Sequence, residues 1–413
     1  MKRLTVVYRG WGEQWPLGTL ADDAGQLMFE YSAEAIRRQL ELSPLHLRLR
    51  QEGYANGPRF FARLPGLIAD ALPDGWGLSL MDRAFRRAGR DPATLSPLDR
   101  LAFVGERAIG ALTFEPADTD ELTLHDVSLL ELAWQIGRLT TGASAEVLRE
   151  LILIGGSPHG ARPKALVDYN RASGRMTAGG PVAAHGDHDQ AWLIKFPARG
   201  EHSETCAVEE LYARLARECG IDMPETQFFA LGRGLSAFGT RRFDRAGLLR
   251  VPVHTLAGAL HIDFRIPSVD LVDFLRLTRL ITGDAREVLR AFERCVFNLL
   301  FHNRDDHAKN FSYRLDRDDR WMLAPAYDLT YNEGPGGHHQ MGYDGQTLAP
   351  ARADALSAAQ KGGITPAAAI QTIDRLLPVV DRIADLAQDL PIRKTTLKKL
   401  INSAIGERAR LSR

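Results

Sequence analysis

The chain is poor in lysine and in cysteine. Of 52 basic residues only 8 are lysine and 44 are arginine, and 413 residues carry 3 cysteines. Cys206, Cys219 and Cys295 show no Cys-x-x-Cys spacing, which argues against a cysteine-based zinc site and against a disulfide framework. Cys219 and Cys295 fall on apolar helical stripes, the pattern of buried thiols. There is no excess charge of either sign: 52 acidic residues balance the basic ones. That excludes a globally basic nucleic-acid coat and an acidic disordered tail, while leaving local patches open. No run approaches the roughly 20 apolar residues of a membrane span, and Met1 to Arg9 reads as a strand, not a signal peptide. The expectation is a cytoplasmic protein without membrane contact. What is present is ordinary: 45% hydrophobic and 25% charged residues, a globular composition at a length suited to two or three domains.

Three segments are expected: a small mixed domain over 1–118, a strand-rich part over 119–245 and a helical part over 246–413. Leu4–Tyr8 and Gln26–Tyr31 read as antiparallel strands about a turn region. A helix opens at Leu72-Pro73-Asp74-Gly75-Trp76-Gly77 and runs through Met81 and Phe85, and Phe103 to Phe114 reads as a hairpin. A helix is expected near Leu129–Leu139, strands at Ala165–Tyr169, Trp192–Phe196, Phe228–Leu231 and Phe238–Phe243. Val208, Leu211, Tyr212, Leu215, Ala216 and Cys219 repeat at helical spacing, as do Phe292, Cys295, Val296, Leu299 and Leu300.

The segment richest in chemistry is His302-Asn303-Arg304-Asp305-Asp306-His307-Ala308-Lys309-Asn310-Phe311, directly after an apolar helix. An Asp followed five residues later by Asn matches a kinase catalytic loop, where the Asp accepts the substrate hydroxyl proton and the Asn binds magnesium; a polar loop with Asx turns has the same letters. Asp328, in Leu323-Ala324-Pro325-Ala326-Tyr327-Asp328-Leu329, suits a magnesium ligand or a turn. Gly155-Gly156-Ser157-Pro158-His159-Gly160-Ala161-Arg162-Pro163-Lys164 lies between strand candidates. Its glycines admit close approach of backbone N–H groups to phosphate, although it is not a Walker loop. Lys195 in an apolar strand calls for an anionic partner, either a nucleotide phosphate tethered by Glu209 or Glu210 on the next helix, or solvent reached from an edge strand. Glycine loop, strand Lys, helix Glu, Asp-x4-Asn and Asp follow the order of parts in a two-lobed protein kinase. His302, His307, His338 and His339 fit no zinc spacing. The stretch 393–413, with seven Lys or Arg and one Glu, reads as a helix with a solvated basic face or as a contact for DNA or an acidic partner.

At these residues the chain resembles the HipA family of bacterial type II toxin–antitoxin kinases over nearly its whole length. Asp305 to Phe311 is similar to the family's catalytic loop, Pro325 to Leu329 to its magnesium segment, Gly156 to Lys164 to its glycine-rich loop, Leu193 to Pro197 to its lysine strand and Arg242-Phe243-Asp244-Arg245 to its hinge. The resemblance implies an α+β, two-lobed kinase-like fold with an appended N-terminal subdomain, and a protein serine/threonine kinase using ATP and Mg2+. Asp305 would be the base, Asn310 and Asp328 the magnesium ligands, and Lys195 the phosphate anchor supported by Glu209. Gly156, His159, Gly160, Ala161, Arg242, Phe243, His307 and Lys309 would complete the nucleotide site. Ser157 matches the autophosphorylated serine; a phosphate there would expel the loop and switch the enzyme off. The implied partners are a HipB-like helix-turn-helix antitoxin, DNA through that antitoxin, and an aminoacyl-tRNA synthetase as substrate. A catalytically silent scaffold that co-represses DNA is the alternative. Three departures stand out: Asp306 places a second carboxylate beside the base, Arg241 precedes the hinge, and Leu260 to Phe264 only loosely follows the family's acidic motif.

Overall fold

A computed structural model describes residues 1–118, 125–126, 160, 162–178, 189–232 and 234–413. The helix expected near Leu129, the apolar run at Leu151, and Gly156, Ser157, His159 and Ala161 lie outside the described residues. The chain divides into two compact units, Met1–Ser203 with Gln227–His254, and Glu204–Thr226 with Thr255–Arg413. The helix following Lys195 belongs to the second unit, and the N-terminal segment and the strand-rich part lie together in the first.

In the first unit, β1 (Lys2–Tyr8), β2 (Trp15–Asp23) and β3 (Gln26–Tyr31) form an antiparallel meander. β3 alternates strictly between buried and exposed residues, the signature of a half-buried strand. The expected strands Leu4–Tyr8 and Gln26–Tyr31 are both present, but β2 lies between them. Gly18 on β2 is required there, because a Cβ would sit 2.3 Å from the Glu30 carbonyl oxygen.

Helix α1 (Gly75–Arg87) starts where expected and buries Leu80, Met81 and Phe85. Phe103 to Phe114 is not a hairpin. Ser96 and Asp99 form a capping box with Pro97 in the first turn, and this starts α2 (Pro97–Val104). Leu98, Leu101 and Val104 are its buried face. Gly105 ends it at positive φ, and β4 (Leu112–Glu115) then pairs with β1.

A second sheet has the order β8 (Thr226–Gly232), β9 (Leu235–Arg241), β7 (Asp189–Lys195), β5 (Lys164–Asn170), β6 (Met176–Ala178), with His125–Asp126 outermost. Its core of Ala165, Val167, Tyr169, Trp192, Ile194 and Phe196 packs on Leu80 of α1.

The second unit is mainly helical: α3 (Glu204–Glu218), α4 (Leu271–Thr282), α5 (Ala285–Leu300), α6 (Arg352–Lys361), α7 (Pro366–Leu376) and α8 (Lys394–Leu411), with the hairpin β10 (Ser312–Leu315) and β11 (Trp321–Leu323). The expected stripe on α3 is buried throughout. On α5, Val288, Ala291, Phe292, Cys295, Val296 and Leu299 are at most 1% exposed, at i, i+3, i+4, i+7, i+8 and i+11, so one face is wholly interior. Burial raises the thiol pKa of Cys295 well above its usual range, and all three cysteines are reduced and buried. Among the described residues no helix is long and apolar enough to cross a membrane.

Candidate functional site

α5 delivers the chain into the Asp-x4-Asn loop through His302, which takes a left-handed turn at φ 55. The loop is braced at once. Asn303 Nδ2 donates to Asn298 Oδ1 at 2.9 Å, and backbone bonds link His302 and Arg304 to Asn332. Asn310 Nδ2 then donates to the Asp305 carbonyl oxygen at 2.7 Å, so the five-residue spacing closes the loop on itself. That bond uses the amide nitrogen and leaves the amide oxygen as the donor a hard cation takes.

Two adjacent carboxylates have opposite surroundings. The Asp305 side chain is 41% exposed. Its Oδ1 accepts from Gln340 Nε2 at 2.9 Å and lies 3.9 Å from His307 Nε2. Asp306 is buried. Its Oδ1 accepts from the backbone N–H groups of Gln340 (2.7 Å) and Met341 (3.2 Å). Its Oδ2 faces His339 Nδ1 at 2.8 Å and accepts from Tyr343 Oη at 3.2 Å. The second carboxylate therefore does not crowd the site; it anchors the Gln340 segment, and Gln340 in turn holds Asp305. Gln340 was invisible in the sequence, because it lies 35 positions away in a stretch with no motif.

Asp328 is brought to the same loop. Tyr327 Oη donates to the Lys309 carbonyl at 2.6 Å and accepts from Ser312 Oγ at 2.6 Å. Asp328 itself adopts φ 57, a left-handed conformation that Asp tolerates better than most residues. Asp328 and Asn310 supply carboxylate and amide oxygens, the donor types that magnesium accepts alongside phosphates. Lys309 is buried, with Nζ 4.6 Å from the Phe264 ring centroid, and His307 lies 5.4 Å from the same ring. Phe264, in the segment that only loosely follows the family's acidic motif, is thus a second neighbour of the loop.

The histidines that fit no zinc spacing have other partners: His302 stacks on Tyr331 at 5.2 Å, His338 bonds Thr347, and His339 serves Asp306. The basic stretch 393–413 is largely the packed helix α8. Arg393 pairs with Glu204, Lys399 with Glu333, Arg408 with Asp381 and Arg410 with Glu407. Leu400, Ala404, Glu407 and Leu411 are its buried stripe. Glu407 reaches back to the start of the catalytic-like loop, meeting His302 Nδ1 at 3.3 Å and Arg304 Nη2 at 3.4 Å. Burial pushes its carboxyl pKa up, but His302, Arg410 and Arg304 more than reverse this.

In the first unit, Lys195 closes β7 and is 4% exposed. Its register partners are Lys164 on β5 and Phe238 on β9, so the strand is interior and the edge-strand alternative falls. Directly opposed residues of an antiparallel pair share a face. Two buried ammonium groups thus lie on one side of the sheet, where burial demands anionic neighbours. Gly160 sits against this pair: φ is +100, and a Cβ there would be 2.4 Å from Lys164 Nζ. Gly160 is held by the N-terminal segment, donating its N–H to Asp74 Oδ1 and accepting from the Trp76 N–H at 3.0 Å. Glu209 lies buried on α3 in the second unit.

Arg242 is engaged within its own segment. Its guanidinium makes a bidentate pair with Asp244, at 2.8 and 2.7 Å. Asp244 also accepts from Arg245 at 2.7 Å and from the Gly110 N–H at 2.9 Å. Burial alone would raise the Asp244 pKa, but the two guanidiniums hold it well below the carboxylate range. Arg242 thus holds Asp244, and Asp244 and Arg245 tie the segment to the 108–110 turn. Phe243 beside it is half-buried.

Residues 156–383 match the model of the HipA-like C-terminal domain and residues 9–115 that of the HipA N-terminal domain. A chain of the Shewanella oneidensis MR-1 toxin–antitoxin complex of HipA, HipB and operator DNA is similar in structure, with a TM-score of 0.74 and 19% identity, covering 98% of this chain and 97% of that one. The Helicobacter pylori proinflammatory kinase CtkA is a weaker likeness, with a TM-score of 0.41 and 12% identity over 55% of this chain and 86% of that one. No curated protein matches in sequence.

Proposed function

The chain belongs to the HipA family, and from that premise we propose that it is an ATP- and magnesium-dependent protein serine/threonine kinase, the toxin of a type II toxin–antitoxin pair. The observation that carries this reading is the Asp305 loop. A half-exposed carboxylate hangs from a self-closed Asp-x4-Asn turn, is held by Gln340, and is tied through Tyr327 to the segment bearing Asp328. In this reading Asp305 takes the proton of the attacking hydroxyl, the anionic base that phosphoryl transfer needs. Asn310 and Asp328 would hold magnesium, which would neutralise charge on the phosphates. Lys195 anchors phosphate as a compact point charge, and Lys164 beside it adds a second.

Glu209 as tether, and His307, Lys309, Arg242, Phe243, Gly156, His159, Gly160 and Ala161 as nucleotide neighbours, belong to the same proposal. So do autophosphorylation at Ser157 and an aminoacyl-tRNA synthetase as target. The Shewanella complex contains HipB and operator DNA; by that precedent the partner proposed here is a helix-turn-helix antitoxin, with DNA reached through it. Purified protein given γ-labelled ATP and magnesium should label itself at Ser157, and Asp305→Ala should not. No phosphoprotein from the wild type, together with equal growth inhibition by wild type and Asp305→Ala, would overturn the proposal.

A further inference from the structure

The segment that follows Asp328 returns to the Asp305 loop through Gln340. Its flanks are interior: His339, Met341, Gly342 and Tyr343 are all buried. They are pinned on both sides. His339 Nδ1 faces Asp306 Oδ2 at 2.8 Å, and Met341 and Gly342 pair in parallel register with Val269 and Asp270. Gln340, between them, is only half-buried. Its backbone N–H donates to Asp306 Oδ1 at 2.7 Å, and its side-chain Nε2 donates to Asp305 Oδ1 at 2.9 Å. His307 Nε2 approaches the same oxygen only to 3.9 Å, outside hydrogen-bond range. Two adjacent carboxylates are thus joined through one residue 35 positions away. Asp306 fixes its backbone, and its side chain reaches Asp305.

We propose that Gln340 is a positioning residue for phosphoryl transfer, acting through Asp305. The inference rests on the kinase reading above. A half-exposed aspartate samples several rotamers unless something holds it, and transfer depends on the base being in place to a fraction of an ångström. A glutamine amide meets that need without cancelling charge. Its NH2 group donates and is neutral, whereas a lysine or arginine here would neutralise the anion that must meet the hydroxyl proton. Ordering a long side chain costs rotamer freedom. The buried residues on either side have already fixed the backbone from which this one reaches, so only the side chain has to be ordered. The bond is made to the proton acceptor and not to a phosphate anchor. Its loss is therefore felt in turnover and not in nucleotide affinity.

Initial rates of self-labelling from γ-labelled ATP and magnesium, measured on the full chain over a range of ATP concentrations, test this. Gln340→Leu removes the donor at similar size. Gln340→Glu keeps the shape and sets a second acceptor against Asp305. The maximal rate should fall by about tenfold or more in Gln340→Leu, toward the ~10²-fold loss of a misplaced reacting group, and further in Gln340→Glu. Half-saturating ATP should stay within about twofold of wild type, as for an interaction that serves the transition state alone, and urea unfolding midpoints should not move. A rate loss accompanied by raised half-saturating ATP, or by a matching drop in the unfolding midpoint, would make Gln340 a merely structural residue and overturn the role. A wild type that takes no label overturns the kinase reading itself, whereas a labelled wild type equalled by Gln340→Leu overturns this role alone.

Discussion

Asp305 and Asp306 differ by one position and by everything that surrounds them. The first is half-exposed, with Oδ1 held by Gln340; the second is buried with both oxygens engaged. Asp305→Ala should leave urea unfolding midpoints unchanged and remove phosphoryl transfer, by about 10²-fold or more for loss of a general base. Asp306→Ala strips acceptors from two backbone N–H groups and a tyrosine hydroxyl, and should destabilise by about 3 kcal/mol or more, read from the same midpoints. A chain in which Asp306→Ala is as stable as wild type would contradict this division. Asp328 gives a separate test of charge against backbone. Asn tolerates the left-handed conformation, so Asp328→Asn should keep the fold while abolishing magnesium-dependent transfer. Asp305 and Asn310 were legible as candidates because a short spacing sets them on one loop, and Asp328 because it stands alone between aromatic and apolar neighbours. Gln340 and Phe264 were not, because only folding brings them to the loop.

At the level of elements, long amphipathic helices were the easiest to read, since α3 and α5 each repeat an apolar face over three or more turns. The supposed hairpin at Phe103 failed for a local reason. Apolar residues flanking two glycines resemble a turn between strands, but the capping box at Ser96 and Asp99 had already committed Pro97–Val104 to a helix. Helix α8 was legible as a helix and ambiguous as a surface, because a run of basic residues does not reveal its acidic partners. Its Glu407 yields a prediction about pH. The folded pKa is lowered by His302, Arg410 and Arg304 against the effect of burial, so its contribution is present above the ordinary value of 4.5 and fades as pH falls below it. Thermal unfolding followed between neutral pH and pH 3 should show Glu407→Gln less stable than wild type at neutral pH, with the difference shrinking in acid. A gap that widens in acid would mean the carboxyl is protonated in the fold.

For the molecule as a whole, nucleotide binding should appear as linkage. Magnesium-ATP at 100 times its dissociation constant adds about 2.7 kcal/mol to whatever state binds it. Differential scanning calorimetry should record a rise for wild type and for Asp305→Ala, whose nucleotide anchors are intact, and no rise for Lys195→Ala at that concentration. The scarcity of lysine proved informative at this scale: Lys164, Lys195 and Lys309, three of only eight, are all buried, where arginine's broad fork would be hard to house. The order of parts along the chain was legible; α3 joins the second unit and the N-terminal segment joins the first through contacts no local pattern encodes. One such contact restricts how the protein can change over evolutionary time. Gly160 is gripped by Asp74 and Trp76, so a change at Asp74 is felt at Gly160, more than eighty positions away. A chimaera that takes this segment from a relative lacking the aspartate would lose the carboxylate that accepts from the Gly160 N–H.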